Sequence, residues 1–325
     1  MMNLRLKLAA LAALATSAVA YADVKINDTL STSGYVVGSY QYNQPKPGSS
    51  SDHFDLDALK AQFNANLKPV SAVISLYHVP NAPDNVTILD AYATYDLGDG
   101  LSVTGGKFLS YLGYEAFDPV NMTQITYANG AFLGPIPGYH EGVRLDYGDA
   151  TQSAGVAILD SVYSGPYYLK GDGELKHNAG FEAFYSYKGV KDLTLWAGLA
   201  YDTKGNVVHK DHEIVTLDFW ASYAVSKEAT IAAEYANKDG GAGDKGYNWL
   251  TLLSYTFTDK VSSIFRISGE KLSNGGPGFT KYTVAPTYTL TSNLSVRAEY
   301  SYVDYKDFAG ANSANFIGVQ AVLKW

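Results

Sequence analysis

The sequence predicts an all-β fold: a transmembrane, antiparallel up-and-down β-barrel of about sixteen strands. Three observations carry that expectation. Apolar or aromatic residues recur at every second position in one segment after another. The connections between segments alternate between short and long. One connection, Leu109–Tyr139, is far longer than the rest. Successive side chains of a strand point to opposite faces, so a strand with lipid on one side and water on the other must alternate in this way. A single segment is weak evidence, and the number of consistent segments makes the case.

Composition fits this reading. The chain has 325 residues, 27 Tyr, 31 Gly, no Cys and a formal net charge of -8. Without Cys there is no disulfide scaffold, thiolate metal site, catalytic Cys or lipidated Cys. Apolar residues make up 46% of the chain, yet mean hydropathy is -0.10. They are therefore dispersed among polar residues.

Residues 1–22 stand apart. Arg5 and Lys7 precede an apolar run, Leu8–Ala15, and the small-residue patterns Ala18-Val19-Ala20 and Ala20-Tyr21-Ala22 follow. This predicts a secretory signal peptide, with an apolar core too short to span a bilayer. Cleavage after Ala22, or else after Ala20, leaves residues 23–325 as the barrel domain. That domain carries 22 basic against 32 acidic residues, near -10. Such an acidic chain is a poor nucleic-acid binder, since that needs concentrated Lys and Arg.

The strands are justified in order. Leu30–Tyr42 carries Leu30, Val36, Tyr40 and Tyr42 on one parity. Leu59, Ala61, Phe63, Ala65 and Leu67 alternate with Lys60, Gln62, Asn64 and Asn66. Val70–Tyr77 follows. Leu89, Ala91, Ala93, Tyr95 and Leu97 are expected to face outward, against Asp90, Tyr92, Thr94 and Asp96. Leu101–Phe108, His140–Tyr147 and Gln152–Val162 come next. Rows led by Phe181, Leu193, Val215, Ala229, Tyr247, Val261, Tyr282, Leu294 and Ile317 complete about sixteen. An even count suits a closed barrel, which has no unpaired edge. Pro286 deletes a ladder bond, so it is expected at a bulge or near a membrane boundary.

Seven short turns, from Lys68-Pro69 to Thr291–Asn293, alternate with eight longer connections, from Asn43–His53 to Tyr305–Ser313. Short turns on one rim and long loops on the other are the outer-membrane pattern. With both termini on the periplasmic rim, Leu109–Tyr139 becomes the third extracellular loop. Its length points to a functional role, here folding into the lumen and narrowing it. Many Tyr fall near strand ends, as an interfacial girdle requires. A soluble protein built from these rows would expose a wide apolar surface.

Sixteen strands leave a water-filled channel, so function lies in what narrows it. Lys60, Arg144, Arg266 and Arg297 fall on the inward parity near mid-strand, and Glu115 and Asp118 are the acids of the long loop. Strict alternation puts Lys107 outward, unless a bulge at Gly105-Gly106 resets the register. Together these seven are the candidate constriction, where a basic wall facing an acidic loop would filter solutes by size and charge. The inward acids Asp90, Asp146, Glu182, Asp218 and Glu234 tip the expectation toward mild cation selectivity. Local pairing of Arg266 with Glu270 and Arg297 with Glu299 is the plainer alternative. Tyr111, Tyr114, Phe117 and Tyr127 form a candidate stacking track for a solute. No metal is expected: His209, Asp211, His212 and Glu213 cluster, but in no closed ligand spacing. The Asp239–Gly246 glycine run lacks the Gly-Lys-Ser/Thr ending of a phosphate loop.

Over Ala91-Tyr92-Ala93-Thr94-Tyr95, Gly105-Gly106-Lys107-Phe108, Gly113-Tyr114-Glu115, Asn121 and His140–Tyr147, the chain resembles the OmpL-like β-barrel porin family (β-barrel porin-2) of Gram-negative outer membranes. Two features depart from that family's pattern: Leu159-Asp160-Ser161 stands where an Asn-Gly-Trp-like element is expected, and the chain ends in Trp325 rather than Phe. The resemblance implies a passive diffusion channel with no enzymatic chemistry and no cofactor. The implied partners are outer-membrane lipid, ions and small hydrophilic solutes, and a homotrimer is one assembly open to it. A substrate-specific channel, for instance for sugars, is the alternative within this class. An outer-membrane hydrolase or an adhesin are the alternatives outside it.

Overall fold

The computed structural model describes residues 23–325, apart from 79–85, 116, 129, 134–135, 164–174, 176–178, 204–211 and 242–243. The expected leader, residues 1–22, lies outside the described residues. Seventeen strands are present among those described: β1 (Val24–Lys25), β2 (Leu30–Lys46), β3 (Ser51–Leu67), β4 (Val70–His78), β5 (Val86–Gly98), β6 (Leu101–Leu109), β7 (Tyr139–Gly148), β8 (Gln152–Leu159), β9 (Gly180–Tyr187), β10 (Leu193–Asp202), β11 (Ile214–Ala224), β12 (Ala229–Asp239), β13 (Lys245–Thr258), β14 (Val261–Leu272), β15 (Gly278–Thr289), β16 (Leu294–Lys306) and β17 (Ser313–Lys324).

From β2 onward each strand pairs antiparallel with the next, and β17 returns to pair with β2, from Ser313↔Lys46 to Lys324↔Tyr35. Sixteen strands thus close the sheet, and closure satisfies the backbone groups that an open edge would leave bare in hydrocarbon. The two-residue β1 pairs with Ser31 and Thr32 of β2, just past the end of β17. There Trp325 and Gly34 exchange two backbone hydrogen bonds, each 3.0 Å.

The alternation of the sequence becomes two surfaces. Val143 and Leu145 of β7, Val156 and Ile158 of β8, and Leu217 and Phe219 of β11 stand on the exposed outer rows. Arg266, Glu182 and Asp218, on the opposite parity, are buried on the inner side. Tyr95, Tyr185, Tyr223, Tyr235, Tyr288 and Tyr300 are exposed on the outer face. The short connections are tight turns. Asp99 and Gly100 adopt φ of 50° and 84°, the left-handed pair that a two-residue hairpin turn needs to match strand twist.

Two details depart from the expectations, at Leu89 and at Asn43–His53, and at Lys107 and Pro286 the open alternatives narrow. Leu89 is fully buried with Tyr35, Val37 and Tyr77 rather than facing outward. The register between β4 and β5 jumps from Ile74↔Ala91 to Leu76↔Ile88, so Leu89 and Asp90 together oppose Ser75. This is a bulge, and Ser75 fills it: its hydroxyl donates to Asp90 Oδ2 (2.6 Å) and accepts from the Asp90 backbone N–H (3.0 Å). Past the bulge, Ile88 and Val86 take over the exposed outer row.

Lys107 stays on the outer row. The ladder runs unbroken through Ala91↔Lys107, Tyr92↔Gly106, Ala93↔Gly105 and Thr94↔Thr104, so the glycine pair resets nothing. Lys107 Nζ donates to the Ile88 carbonyl at 2.7 Å. Of the two places expected for Pro286 the bulge is not the one; it lies toward the short-turn end of β15. It pairs with Ser263 on the β14 side, and on the β16 side the ladder skips from Val284↔Tyr300 to Thr287↔Arg297 without a shift of register. Its missing N–H costs bonds on one edge only. Finally, Asn43–His53 is mostly strand: β2 and β3 run on to Lys46 and Ser51, leaving a four-residue turn. Phe54 is there 83% exposed. Backbone pairing has no reason to stop where lipid stops, whereas the apolar alternation does.

Candidate functional site: the inner wall and the segment between β6 and β7

Between β6 and β7 the chain is irregular, with one 3₁₀ turn at Pro119–Asn121. Such a segment has no ladder to receive its backbone N–H groups, so other acceptors must. Inner-face carboxylates supply them. Glu182 of β9 accepts from the Tyr111 N–H (3.1 Å) and the Ser110 hydroxyl (2.5 Å). Asp218 of β11 accepts from Gly113 (2.8 Å), and Glu234 of β12 from Tyr114 (2.5 Å). Glu299 of β16 receives Ile125 and Thr126. Glu270 of β14 receives Gly130, Phe132 and Leu133. Bonds of this charge-assisted kind contribute ~1.5–3 kcal/mol each.

The expected opposition of a basic wall and an acidic loop is here direct contact. Glu115 pairs with Arg266, which is buried on β14, and also accepts from Gln124 Nε2 and the Ala128 N–H, both at 2.7 Å. Asp118 pairs with Lys60 of β3 (3.1 Å) and accepts from the Tyr35 hydroxyl (2.8 Å), while Lys60 also meets Asp90 at 2.9 Å. Arg297 of β16 donates to the Gln124 carbonyl (2.9 Å). Arg266 pairs with Glu115 rather than with Glu270, and Glu270 and Glu299 receive the segment's backbone N–H groups. Two further inner-face lysines, absent from the expected set, reach the same segment. Lys281 of β15 donates to the Tyr127 carbonyl and Lys238 of β12 to that of Leu133, both at 3.0 Å.

Arg144 of β7 stands apart from this network. It meets Asp146 at 3.1 Å and lies 4.7 Å from the Phe108 ring centroid and 5.5 Å from that of Tyr111. Lys107, on the outer row, is not part of any inner-face site.

The four rings expected as one track are split among three clusters. Tyr111 lies against Phe184 (4.5 Å) with its hydroxyl on Asp146 (2.6 Å). Tyr114 meets Trp220 edge-on at 5.4 Å. Phe117 packs against Tyr139 (5.2 Å) and Tyr77 (6.2 Å), and the Tyr127 hydroxyl donates to the Phe117 carbonyl (2.7 Å). In an irregular segment with no ladder of its own, rings three residues apart land on different strands. The continuous ring row belongs to the wall: Phe184, Trp196 and Trp220, of β9, β10 and β11, stack at 6.2 and 5.7 Å with interplanar angles of 13° and 7°. A signal for it existed, since a large ring on an inward parity stands out among hydroxyls and charges.

Below the segment, on the short-turn side, lies a cavity of about 470 Å3, bounded by Tyr114, Met122 and Gln124, the wall from β9 to β13, and the turn at Val190–Asp192. Among the described residues no group of three or more His, Asp or Glu could hold a metal. His209 and Asp211 of the expected weak cluster lie outside the described residues.

Residues 29–324 match the model of the family described as "Putative beta-barrel porin-2, OmpL-like". The chain belongs to this family. No curated protein matches the sequence. Among solved structures, the Salmonella typhi OmpF complex with daunomycin is similar at 12% identity, with a TM-score of 0.69 over 94% of this chain and all of that one. The Acinetobacter baumannii outer membrane channel DcaP is similar at 14% identity and a TM-score of 0.63, over 94% of this chain and all of DcaP. The trimer form of Vibrio cholerae OmpT is similar at 13% and 0.64, covering 92% of this chain and all of OmpT. At such identities the likeness is one of fold. Family and fold together make this chain a porin of the outer-membrane β-barrel type.

Proposed function

We propose that this porin is a passive, weakly selective channel for ions and small hydrophilic solutes, and that residues 109–139 cross its lumen and form the narrowest section. One observation carries the reading. The segment bonds to inner-face side chains of β3 and of β11, strands half a barrel apart, and to β2, β9, β12, β14, β15 and β16 as well. Ties to opposite walls of a closed barrel support a path through its interior.

In this reading the constriction is edged by Glu115, Asp118, Lys60, Arg266 and Arg297, with Arg144 beside it. No reaction is catalysed; gradients drive passage. Residues 1–22 direct export to the Gram-negative outer membrane, the short-turn rim faces the periplasm, and lipid covers the outer rows. Three copies assemble, as the trimer form of OmpT suggests.

Single-channel recording of refolded protein in a planar bilayer tests this. The expected result is an ohmic step that grows severalfold when residues 113–133 are replaced by a short Gly-Ser link. A step unchanged by that replacement removes the segment from the constriction, and no step at all removes the channel. A monomer in native mass measurements overturns the trimer.

A further inference from the structure

The inner wall is not uniform around its circumference. On β17, β2 and β3 it presents amides and a carboxylate, with Gln320, Gln41 and the Ser39 hydroxyl all donating to Asp57. Half a barrel away, on β9 to β11, it presents the stacked rings of Phe184, Trp196 and Trp220. Tyr111 and Tyr114 of the crossing segment lie against the two ends of that row. Trp220 is the ring that borders the cavity on the short-turn side, together with Tyr114. Trp196 stacks on Trp220 but does not line the cavity.

The rest of the lining mixes hydroxyls and the amides of Asn121 and Gln124 with the apolar Met122, Leu193, Ala224 and Leu252. Thr194, Ser222, Thr230 and Ser254 contribute partly exposed hydroxyls around the Trp220 ring. Glu115 is the one carboxylate bordering the inner part, and Arg266 already neutralises it. Lys188, Lys191 and Asp192 sit at the mouth, with Lys191 and Asp192 3.9 Å apart. A ligand matched to these walls has one flat face of C–H groups for the indole. Its rim carries hydroxyls, which both donate and accept, as Ser and Thr hydroxyls do. It bears no net charge. The cavity's volume lies within the ~300–1,000 Å3 of small-molecule sites.

We propose that this cavity is a stacking site for a neutral pyranose sugar, a mono- or disaccharide, held on Trp220 at the periplasmic side of the crossing segment. The proposal rests on the channel reading above and adds a ligand class to it. The site is reached first from the periplasmic mouth, so a sugar added there meets Trp220 before it meets the constriction.

The test is current block in planar bilayers, with glucose and maltose as probes and benzoate as a planar aromatic anion. Each half-blocking concentration is scaled to that variant's own open-channel current. Maltose is expected to interrupt the wild-type current, more strongly from the short-turn side. Trp220→Ala should raise its half-blocking concentration about tenfold or more, and Trp220→Phe less. Trp249→Phe, on the outer row, should change nothing. Where Trp220→Ala does not fold, the double variant Ser222→Ala/Thr230→Val should weaken block severalfold. Open steps without sugar block, block untouched by these substitutions, or block by benzoate alone would overturn the site while leaving the channel standing. Absence of any conductance would instead overturn the channel reading.

Discussion

The Arg266–Glu115 pair shows what a single residue does here. Both side chains are almost fully buried, and Arg266 also donates to the Thr126 carbonyl at 2.9 Å. Removing one partner leaves a charge without water or counter-ion. Arg266→Met should therefore cost about 3–5 kcal/mol, read as a lower urea midpoint for the refolded barrel. The double variant Arg266→Met/Glu115→Gln should recover most of that loss. Equal losses in the single and double variants would mean that the pair is not coupled. Lys107 makes the opposite case. It belongs to the candidate constriction only if a bulge at Gly105-Gly106 resets the register, and its unbroken ladder keeps it on the outer row. Lys107→Gln should leave both conductance and reversal potential at wild-type values, and a shift in either would return it to the lumen.

At the scale of an element, the segment between β6 and β7 is held by acceptors on the inner wall. Glu270 alone receives three backbone N–H groups. Each buried donor left without a partner costs ~1–3 kcal/mol, so Glu270→Ala should free the stretch around Gly130–Leu133. The expected readout is faster proteolysis within the segment and a noisier open channel. Glu270→Gln, which keeps one acceptor oxygen, should fall between. A short turn behaves differently. Asp149, in the β7–β8 turn, accepts from the Thr151 N–H (2.7 Å), the Gln152 N–H (2.9 Å) and the Tyr147 hydroxyl (2.9 Å). These bonds, that from Thr151 first, hold its carboxyl well below the usual carboxylate range. A depressed folded-state pKa adds stability that is complete above the unfolded value, ~3.9, and is lost as pH falls through the folded one. Asp149→Asn should thus destabilise at pH 7, with the gap to wild type closing in strong acid. A gap constant across that range would rule out ionisation as its cause.

For the whole molecule the question is the field along the lumen. The acids of the segment between β6 and β7, Glu115 and Asp118, are neutralised by Arg266 and Lys60. The carboxylates of Glu182, Asp218, Glu234, Glu270 and Glu299 instead meet backbone N–H groups, which bring no full charge. These five outnumber Arg297, Lys281 and Lys238, inner-face bases that meet carbonyls of the segment, so reversal potentials in a salt gradient should show mild cation preference. Clear anion preference would mean that the solvated charges are those of the lysines. Screening makes the effect fade toward molar salt, where the Debye length is ~3 Å.

The fold was legible in the sequence because a barrel strand repeats one local rule. Side chains alternate every residue, lipid penalises any polar outward position, and sixteen rows such as Leu294, Val296, Ala298, Tyr300 and Tyr302 state that rule again and again. Lys60, Arg266 and Arg297 were legible as inner-wall bases for the same reason, since parity names a face; Glu115 and Asp118 stood out instead as the acids of the long irregular segment. Register slips were not legible. The bulge that turns Leu89 inward depends on Ser75, which lies on the neighbouring strand, and only paired strands can reveal it. Partner choice was hidden as well. That Glu270 reaches back to Gly130 rather than to Arg266, or that Trp196 and Trp220 stack across β10 and β11, depends on contacts between residues distant in sequence. Alternation along one strand decides which way a side chain points, and only the closed sheet and the segment bonded to its inner face decide what it meets there.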